Sequence, residues 1–216
     1  MREKIIEAVN NEKIIVIVRG VEKDDLIPLA EAMYAGGIRL IEITFDASGK
    51  TSDGETASRI AMLKEHFGDR MHIGAGTVLT TEQVVLTRAA GGEFIISPNV
   101  KREVIEKTRE LSLVSMPGAF SPSEIVDAYD LGADFVKLFP ITELGVGYVK
   151  AVRAPLCHIP MLAVGGVDLD NISDYLKIGV CGFGLGSNIV NKKMIANGDW
   201  DAITALAQKY VAAIRG

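Results

Sequence analysis

The feature that most constrains this chain is an alternation repeated along its whole length. Eight short apolar runs, many of them β-branched and ending in or beside glycine, proline or threonine, are each followed by a longer stretch with helical spacing. The runs are IIVIV (14–18), LIEIT (40–44), MHIGAG (71–76), EFIIS (93–97), LSLVSM (111–116), DFVKLF (134–139), PMLAV (160–164) and CGFGL (181–185). Strand followed by helix, eight times, means parallel strands joined by crossover helices. With 216 residues there are 27 per unit, enough for one crossover helix and little decoration. The expected fold is α/β, a closed (β/α)8 TIM barrel rather than an open doubly wound sheet. Residues 2–11 form an extra N-terminal helix in this reading, placed to cover the bottom of the barrel. No low-complexity linker interrupts the pattern, so one domain over residues 1–216 is expected.

Helices are expected at 23–35, 54–66, 81–90, 101–110, 122–131, 146–152, 169–177 and 200–214. SPSE (121–124) offers Ser121 as N-cap, Pro122 at the first helical position and Glu124 at the third, and TTEQ (80–83) repeats the capping-box pattern. Glycines at 36–37, 91–92, 132 and 179 mark helix exits.

Composition narrows the function. The 23 basic against 28 acidic residues leave a net charge of −5, and no run of Lys or Arg exceeds two residues, Lys192-Lys193 being one. Nothing there suits a phosphate backbone, so no nucleic-acid partner is expected. No apolar run nears the roughly 18 residues of a membrane span, and MREKIIEAVNNEK lacks the apolar core of a signal peptide. The protein is therefore expected to be cytoplasmic, with no membrane association. Cys157 and Cys181 have no CxxC spacing and are expected to be reduced, buried thiols. His66, His72 and His158 share no metal-ligand spacing, so no metal is expected.

In a barrel, function gathers at the C-terminal ends of the strands. Alternation in DFVKLFP sends Phe135, Lys137 and Phe139 to one face, placing the lysine ammonium among aromatic carbon. Desolvation there lowers its pKa and prepares a Schiff-base nucleophile; equally, its stem can lie along an apolar wall with its head in water. Glu42 interrupts LIEIT and points into the barrel with Leu40 and Thr44. It is either paired with Lys137 or Arg19, or a general acid/base with a raised pKa. Arg19 closes the first strand, where an anion ligand or a plain surface arginine would sit, and Thr77 ends GAGT with a hydroxyl at the same mouth. VGGV (164–167) and GLGSN (184–188) follow the last two strands. Each alone is a tight turn; together they suggest a phosphate site, with a short helix expected to start near Ser187.

IIVIVRG, GIRLIEIT, GAGTV, FIISPN, PGAFSPSE, ADFVKLFP, AVGGV and GLGS, in this order, resemble the class I 2-keto-3-deoxy-6-phosphogluconate and 4-hydroxy-2-oxoglutarate aldolase family, from about residue 13 to 190. The resemblance implies a homotrimeric barrel that cleaves a small-molecule 2-keto acid, phosphorylated or not, to pyruvate and an aldehyde with no cofactor. The aldehyde would be glyceraldehyde 3-phosphate or glyoxylate. It also implies Lys137 as the Schiff-base lysine, Glu42 as the acid/base, Thr77 at the pyruvate carboxylate, Arg19 as the substrate-binding arginine of the first strand, and Gly165, Gly166 and Ser187 at the phosphate or aldehyde end. Pro98 and Phe139 match apolar positions around the lysine.

Two positions depart from the commonest gluconate pattern. Asp46 stands where many members carry an arginine, and Val164 where many carry threonine before the glycine pair. AVGGV followed by GLGS is similar to the 2-dehydro-3-deoxy-6-phosphogalactonate branch, leaving the epimer open. A phosphate-binding barrel without chemistry and a phosphosugar isomerase or epimerase remain the competing readings. Neither requires a lysine among aromatics opposite a glutamate.

Overall fold

A strand buried on both faces needs apolar side chains at successive positions, which is why the eight apolar runs of this sequence become the barrel wall. A computed structural model describes residues 2–142 and 144–215; Met1, Glu143 and Gly216, part of the expected 1–216 domain, lie outside the described residues. The elements in chain order are α1 (Arg2–Glu12), β1 (Ile14–Val18), α2 (Lys23–Ala35), β2 (Leu40–Thr44), α3 (Asp53–Phe67), β3 (His72–Gly76), α4 (Thr81–Ala89) and β4 (Phe94–Ile96). They continue with α5 (Arg102–Glu110), β5 (Val114–Met116), β6 (Gly118–Ala119), α6 (Pro122–Asp130), β7 (Val136–Leu138) and α7 (Gly145–Arg153). Then come β8 (Met161–Val164), α8 (Ile172–Lys177), β9 (Gly182–Leu185), α9 (Lys192–Ala196) and α10 (Trp200–Arg215).

All pairings are parallel, in the order β5-β4-β3-β2-β1-β9-β8-β7-β6. The two ends of that order are halves of one strand, broken at Pro117, which has no N–H to donate. Before the break Ser97 N donates to Met116 O at 3.3 Å, and after it Lys137 N donates to Pro117 O at 2.9 Å, so the sheet closes on itself. The result is the expected (β/α)8 barrel with eight strand positions and α1 as an extra helix.

Several strands are shorter than their apolar runs. Leu111–Leu113, for example, belong to the exit of α5: Ser112 takes φ 57° and Leu113 N donates to Thr108 O at 3.0 Å. Helix starts follow their caps. Ser121 accepts from Glu124 N while Glu124 Oε2 accepts from Ser121 N at 2.8 Å, the full capping box. At α4 the box slips by one residue, with Thr80 capping Gln83 N but Gln83 Oε1 accepting from Leu79 N at 2.7 Å.

The buried apolar residues separate into two layers. Ile14, Val16, Ile41, Ile43, Val136 and Leu138 face outward to the helices, while Ile15, Leu40, Phe94, Phe135 and Leu162 fill the bore. Fully burying each such side chain contributes roughly 1.5–3 kcal/mol. Ile5 and Val9 of α1 join the inner layer and seal the N-terminal end of the barrel. Arg2 pairs with Asp134, which also accepts from Ser115 N at 2.9 Å and so ties that helix to the wall. Above this apolar floor, towards the C-terminal ends of the strands, the bore turns polar.

Candidate active site

Strand order places β2 and β7 four positions apart in a ring of eight, facing each other across the bore. Glu42 on β2 and Lys137 on β7 therefore approach from opposite walls. Both are buried, Glu42 to 1% exposure and Lys137 to 8%. A cavity of about 470 Å3 lies between them, and Arg19, Thr77, Pro98, Phe139, Gly165, Gly166 and Ser187 line it as well. Every site residue expected from the sequence thus meets at one place, although they come from seven of the eight strand positions.

The arrangement keeps both charged groups only partly compensated. Burial pushes the Glu42 carboxyl up to about 7, against the opposing pull of the Lys137 and Arg19 charges. Its Oε2 has no hydrogen-bond partner among the described residues. The direct pairing with Lys137 or Arg19 considered from sequence therefore does not satisfy this oxygen. Burial likewise lowers Lys137 below the usual lysine range; Glu42 opposes the change and Arg19 reinforces it. The Lys137 Nζ lies 4.5 Å from the centroid of the Phe139 ring. Lowering the lysine and raising the carboxyl brings their proton affinities closer, which reduces the cost of moving a proton between the two.

Room for the Glu42 carboxyl comes from Gly76. A Cβ at that position would sit 2.3 Å from Oε1 and 2.5 Å from Cδ. The next residue, Thr77, has φ 55°, a conformation disfavoured for a β-branched side chain. Its Oγ1 accepts from Arg19 Nη2 at 2.9 Å, so the two span the mouth of β2 directly above Glu42. Together they present a guanidinium and a hydroxyl to an incoming anion.

Asp46 does not oppose this cluster. Its carboxylate accepts from Ser48 N, Ser48 Oγ and Thr51 N at 2.9, 2.7 and 3.0 Å, and those bonds hold its pKa down to about 2. It builds its own turn and lies outside the central cavity. Val164 is a wall residue of that cavity, and its side chain has no hydrogen bond to offer.

Sequence reasoning missed the groups that hold the two glycine loops. Gly165 and Gly166 take φ 89° and 83°, which L side chains rarely adopt. Asn171 Nδ2 donates to Gly166 O at 2.8 Å, and Asn188 Nδ2 donates to Val167 O at 2.8 Å. Asp168 and Asn171 also exchange bonds, Asn171 N to Asp168 Oδ1 at 3.1 Å and Asp168 N to Asn171 Oδ1 at 3.0 Å. That D-x-x-N spacing was a readable signal of a fixed turn.

Two expectations are corrected. The helix expected near Ser187 begins at Lys192; residues 186–190 make a single turn closed by Val190 N to Gly186 O at 2.9 Å. The Asn191 side chain caps the later helix and takes the amides of Lys193 and Met194, at 3.0 and 3.2 Å. The cysteines are not buried hydrophobes either: both are free thiols, Cys157 exposed and Cys181 half-buried. Among the described residues no group of three His, Cys, Asp or Glu side chains is arranged to hold a metal, and no helix is long and apolar enough to cross a membrane.

The family described as KDPG and KHG aldolase matches residues 5–206. A 2-dehydro-3-deoxy-phosphogluconate aldolase of Haemophilus influenzae is 33% identical, over 99% of this chain and 98% of its own. A probable 2-dehydro-3-deoxy-6-phosphogalactonate aldolase of Rhizobium meliloti is 37% identical over 85% of this chain and 84% of its own. Among solved structures, the KDPG aldolase of Legionella pneumophila with pyruvate captured as a covalent carbinolamine superimposes with a TM-score of 0.84 at 32% identity, covering 94% of this chain and 96% of that one. With this match along nearly its full length and the barrel described above, the chain belongs to the KDPG and KHG aldolase family.

Proposed function

We propose that this protein is a class I aldolase that cleaves 2-keto-3-deoxy-6-phosphogluconate, 4-hydroxy-2-oxoglutarate or both, through a Schiff base on Lys137. The single observation that carries the reading is a buried lysine with a lowered pKa facing a buried carboxyl raised to about 7 across one cavity.

Neutral Lys137 attacks the C2 carbonyl of the substrate. Glu42 delivers a proton to the resulting carbinolamine oxygen, which leaves as water and yields the iminium. The C3–C4 bond then breaks: its electron pair moves into the iminium to give an enamine, and the C4 hydroxyl passes its proton to the Glu42 carboxylate as the aldehyde departs. Glu42 returns that proton to the enamine at C3, and hydrolysis of the new iminium by water releases pyruvate and restores the amine. Arg19 and Thr77 hold the pyruvate carboxylate; Pro98 and Phe139 keep the lysine's surroundings apolar. Gly165, Gly166 and Ser187 receive the far end of the substrate. The homotrimer and the cytoplasmic setting belong to the same proposal and rest on the family resemblance; light scattering tests the trimer.

The Val164 wall, which lacks a hydroxyl, favours a second reading in which the 2-dehydro-3-deoxy-6-phosphogalactonate epimer is the preferred substrate. The ratio of kcat/KM for the two epimers decides between them. Intact mass after borohydride reduction with pyruvate tests the covalent step. A reduced pyruvate adduct is expected in the wild type and absent from Lys137→Ala, and Lys137→Arg should lose turnover because a guanidinium forms no imine. Folded wild-type protein without an adduct would refute the aldolase reading.

A further inference from the structure

Beneath the catalytic cavity the bore does not close completely. Ile17, Lys137, Val164 and Gly184 line that cavity and also a small recess continuous with it, whose remaining walls are Ile15, Ile96 and Leu162. The free space is about 10 Å3, room for one water-sized group. Its lining is wholly apolar, so the stem of Lys137 rather than its amine faces it, and a water placed there would find no polar partner. Gly184 helps to keep the recess open: a Cβ there would lie 2.9 and 3.0 Å from the two methyls of Val164 and 3.2 Å from Ile17 Cδ1. Val164, one of the two departures noted in the sequence, bears only methyls where a threonine would bring a hydroxyl to the same wall.

We propose that this recess seats a methyl group on C3 of the donor, so that the enzyme takes 2-oxobutanoate as well as pyruvate and makes 4-hydroxy-3-methyl-2-oxo acids from it. The proposal rests on the Schiff-base reading above. When a 2-oxo acid is held as the iminium on Lys137, the C3 substituent cis to nitrogen points back along the lysine stem, which is a wall of the recess. The Glu42 carboxylate removes one C3 proton to give the enamine. C3 then bonds to the aldehyde carbon while the aldehyde oxygen takes that proton from Glu42, and water hydrolyses the iminium to free the product and the amine. Pyruvate leaves the recess empty, a methyl on C3 fills it, and an ethyl exceeds it.

The test is exchange of C3 protons in deuterated water, read by NMR with no aldehyde present. Pyruvate, 2-oxobutanoate and 2-oxopentanoate are compared in wild type, Gly184→Ala and Ile96→Val. Wild type should exchange 2-oxobutanoate within about tenfold of pyruvate and 2-oxopentanoate at least about tenfold more slowly than 2-oxobutanoate. One deuteron should enter each 2-oxobutanoate, because a seated methyl presents a single C3 proton to Glu42. Gly184→Ala should lower the ratio of 2-oxobutanoate to pyruvate exchange at least about tenfold. Ile96→Val widens the recess by one methyl and should raise the ratio of 2-oxopentanoate to 2-oxobutanoate at least about threefold. Should Gly184→Ala fail to fold, Ile96→Val decides alone. Wild type that traps pyruvate under borohydride but exchanges 2-oxobutanoate more slowly than expected overturns the recess and leaves the aldolase standing. Ratios unchanged in the folded variants do the same. Folded wild type that exchanges none of the three acids refutes the aldolase reading itself.

Discussion

Replacing Glu42 by Gln should make the protein more stable in alkaline solution while removing the proton relay. The carboxyl is raised from 4.5 to about 7 by burial, which means the folded state holds this proton more tightly than the unfolded chain does. Between those values the unfolded chain has released the proton and the folded chain has not. Stability therefore falls as pH rises, by about 1.4 kcal/mol per pH unit for one proton. The contribution is fully present below 4.5 and lost once pH passes about 7, a total of about 3 kcal/mol. Glutamine is nearly isosteric and never ionises, so the variant escapes that loss. Lys137 gives up an attractive partner in the exchange, which trims the gain. Urea unfolding at constant protein concentration, at about pH 5 and about pH 8.5, measures the difference. The two proteins should be close in stability at the lower pH, and the variant ahead by roughly 2–3 kcal/mol at the higher one. Parallel pH dependence in both proteins, or a wild type that is the more stable at high pH, would refute the assignment of a strained, buried carboxylate.

Three further substitutions test the surroundings. Gly76→Ala would place a Cβ 2.3 Å from Glu42 Oε1, displacing the carboxyl; exchange of pyruvate methyl protons, read by NMR in deuterated water, should slow by at least about 100-fold. An unchanged rate would show that Glu42 is not the relay. Asn171→Ala frees the Gly166 carbonyl from its 2.8 Å bond, so KM for a phosphorylated substrate should rise roughly three- to tenfold with kcat within about twofold. Steady-state kinetics in which kcat falls instead would remove the loop from substrate binding. Asp134→Ala leaves Arg2 and the buried Ser115 N–H without their acceptor and should cost about 2–4 kcal/mol in denaturant unfolding. A loss under about 1 kcal/mol would mean that α1 is held by its apolar face alone.

Patterns that depend on near neighbours in the chain are legible in the sequence. Strand alternation alone put Lys137 beside Phe139 and turned Glu42 inward, because a period of two leaves a side chain only two directions. Capping at Ser121 was equally legible, since every partner lies within four residues. Strand ends were less so: Ser112 at φ 57° and the break at Pro117 convert parts of one apolar run into a helix exit and a split strand. The error at Ser187 has a similar origin. GLGSN carries helix-start residues, but the effective cap is Asn191, whose side chain satisfies two amides further on. What the sequence could not show were contacts between distant segments. Arg19 and Thr77 are 58 residues apart, and Asn188 reaches 21 residues back to Val167. The partnerless Oε2 of Glu42 is likewise a property of how the walls close, not of LIEIT itself.

The apolar layer that fills the lower bore, with Ile5 and Val9 of α1 packed beneath it, makes the barrel a vessel with one opening. Traffic through a single doorway has an order. In the proposed cleavage, the fragment tethered to Lys137 sits innermost, so the aldehyde must leave before pyruvate can be freed, along the route it used to enter. Run backwards, the same doorway obliges pyruvate to be loaded first and the aldehyde to arrive second, on top of it. The queue is set by the covalent tether to Lys137 and by the packed floor beneath it, which leaves the mouth as the way in and out.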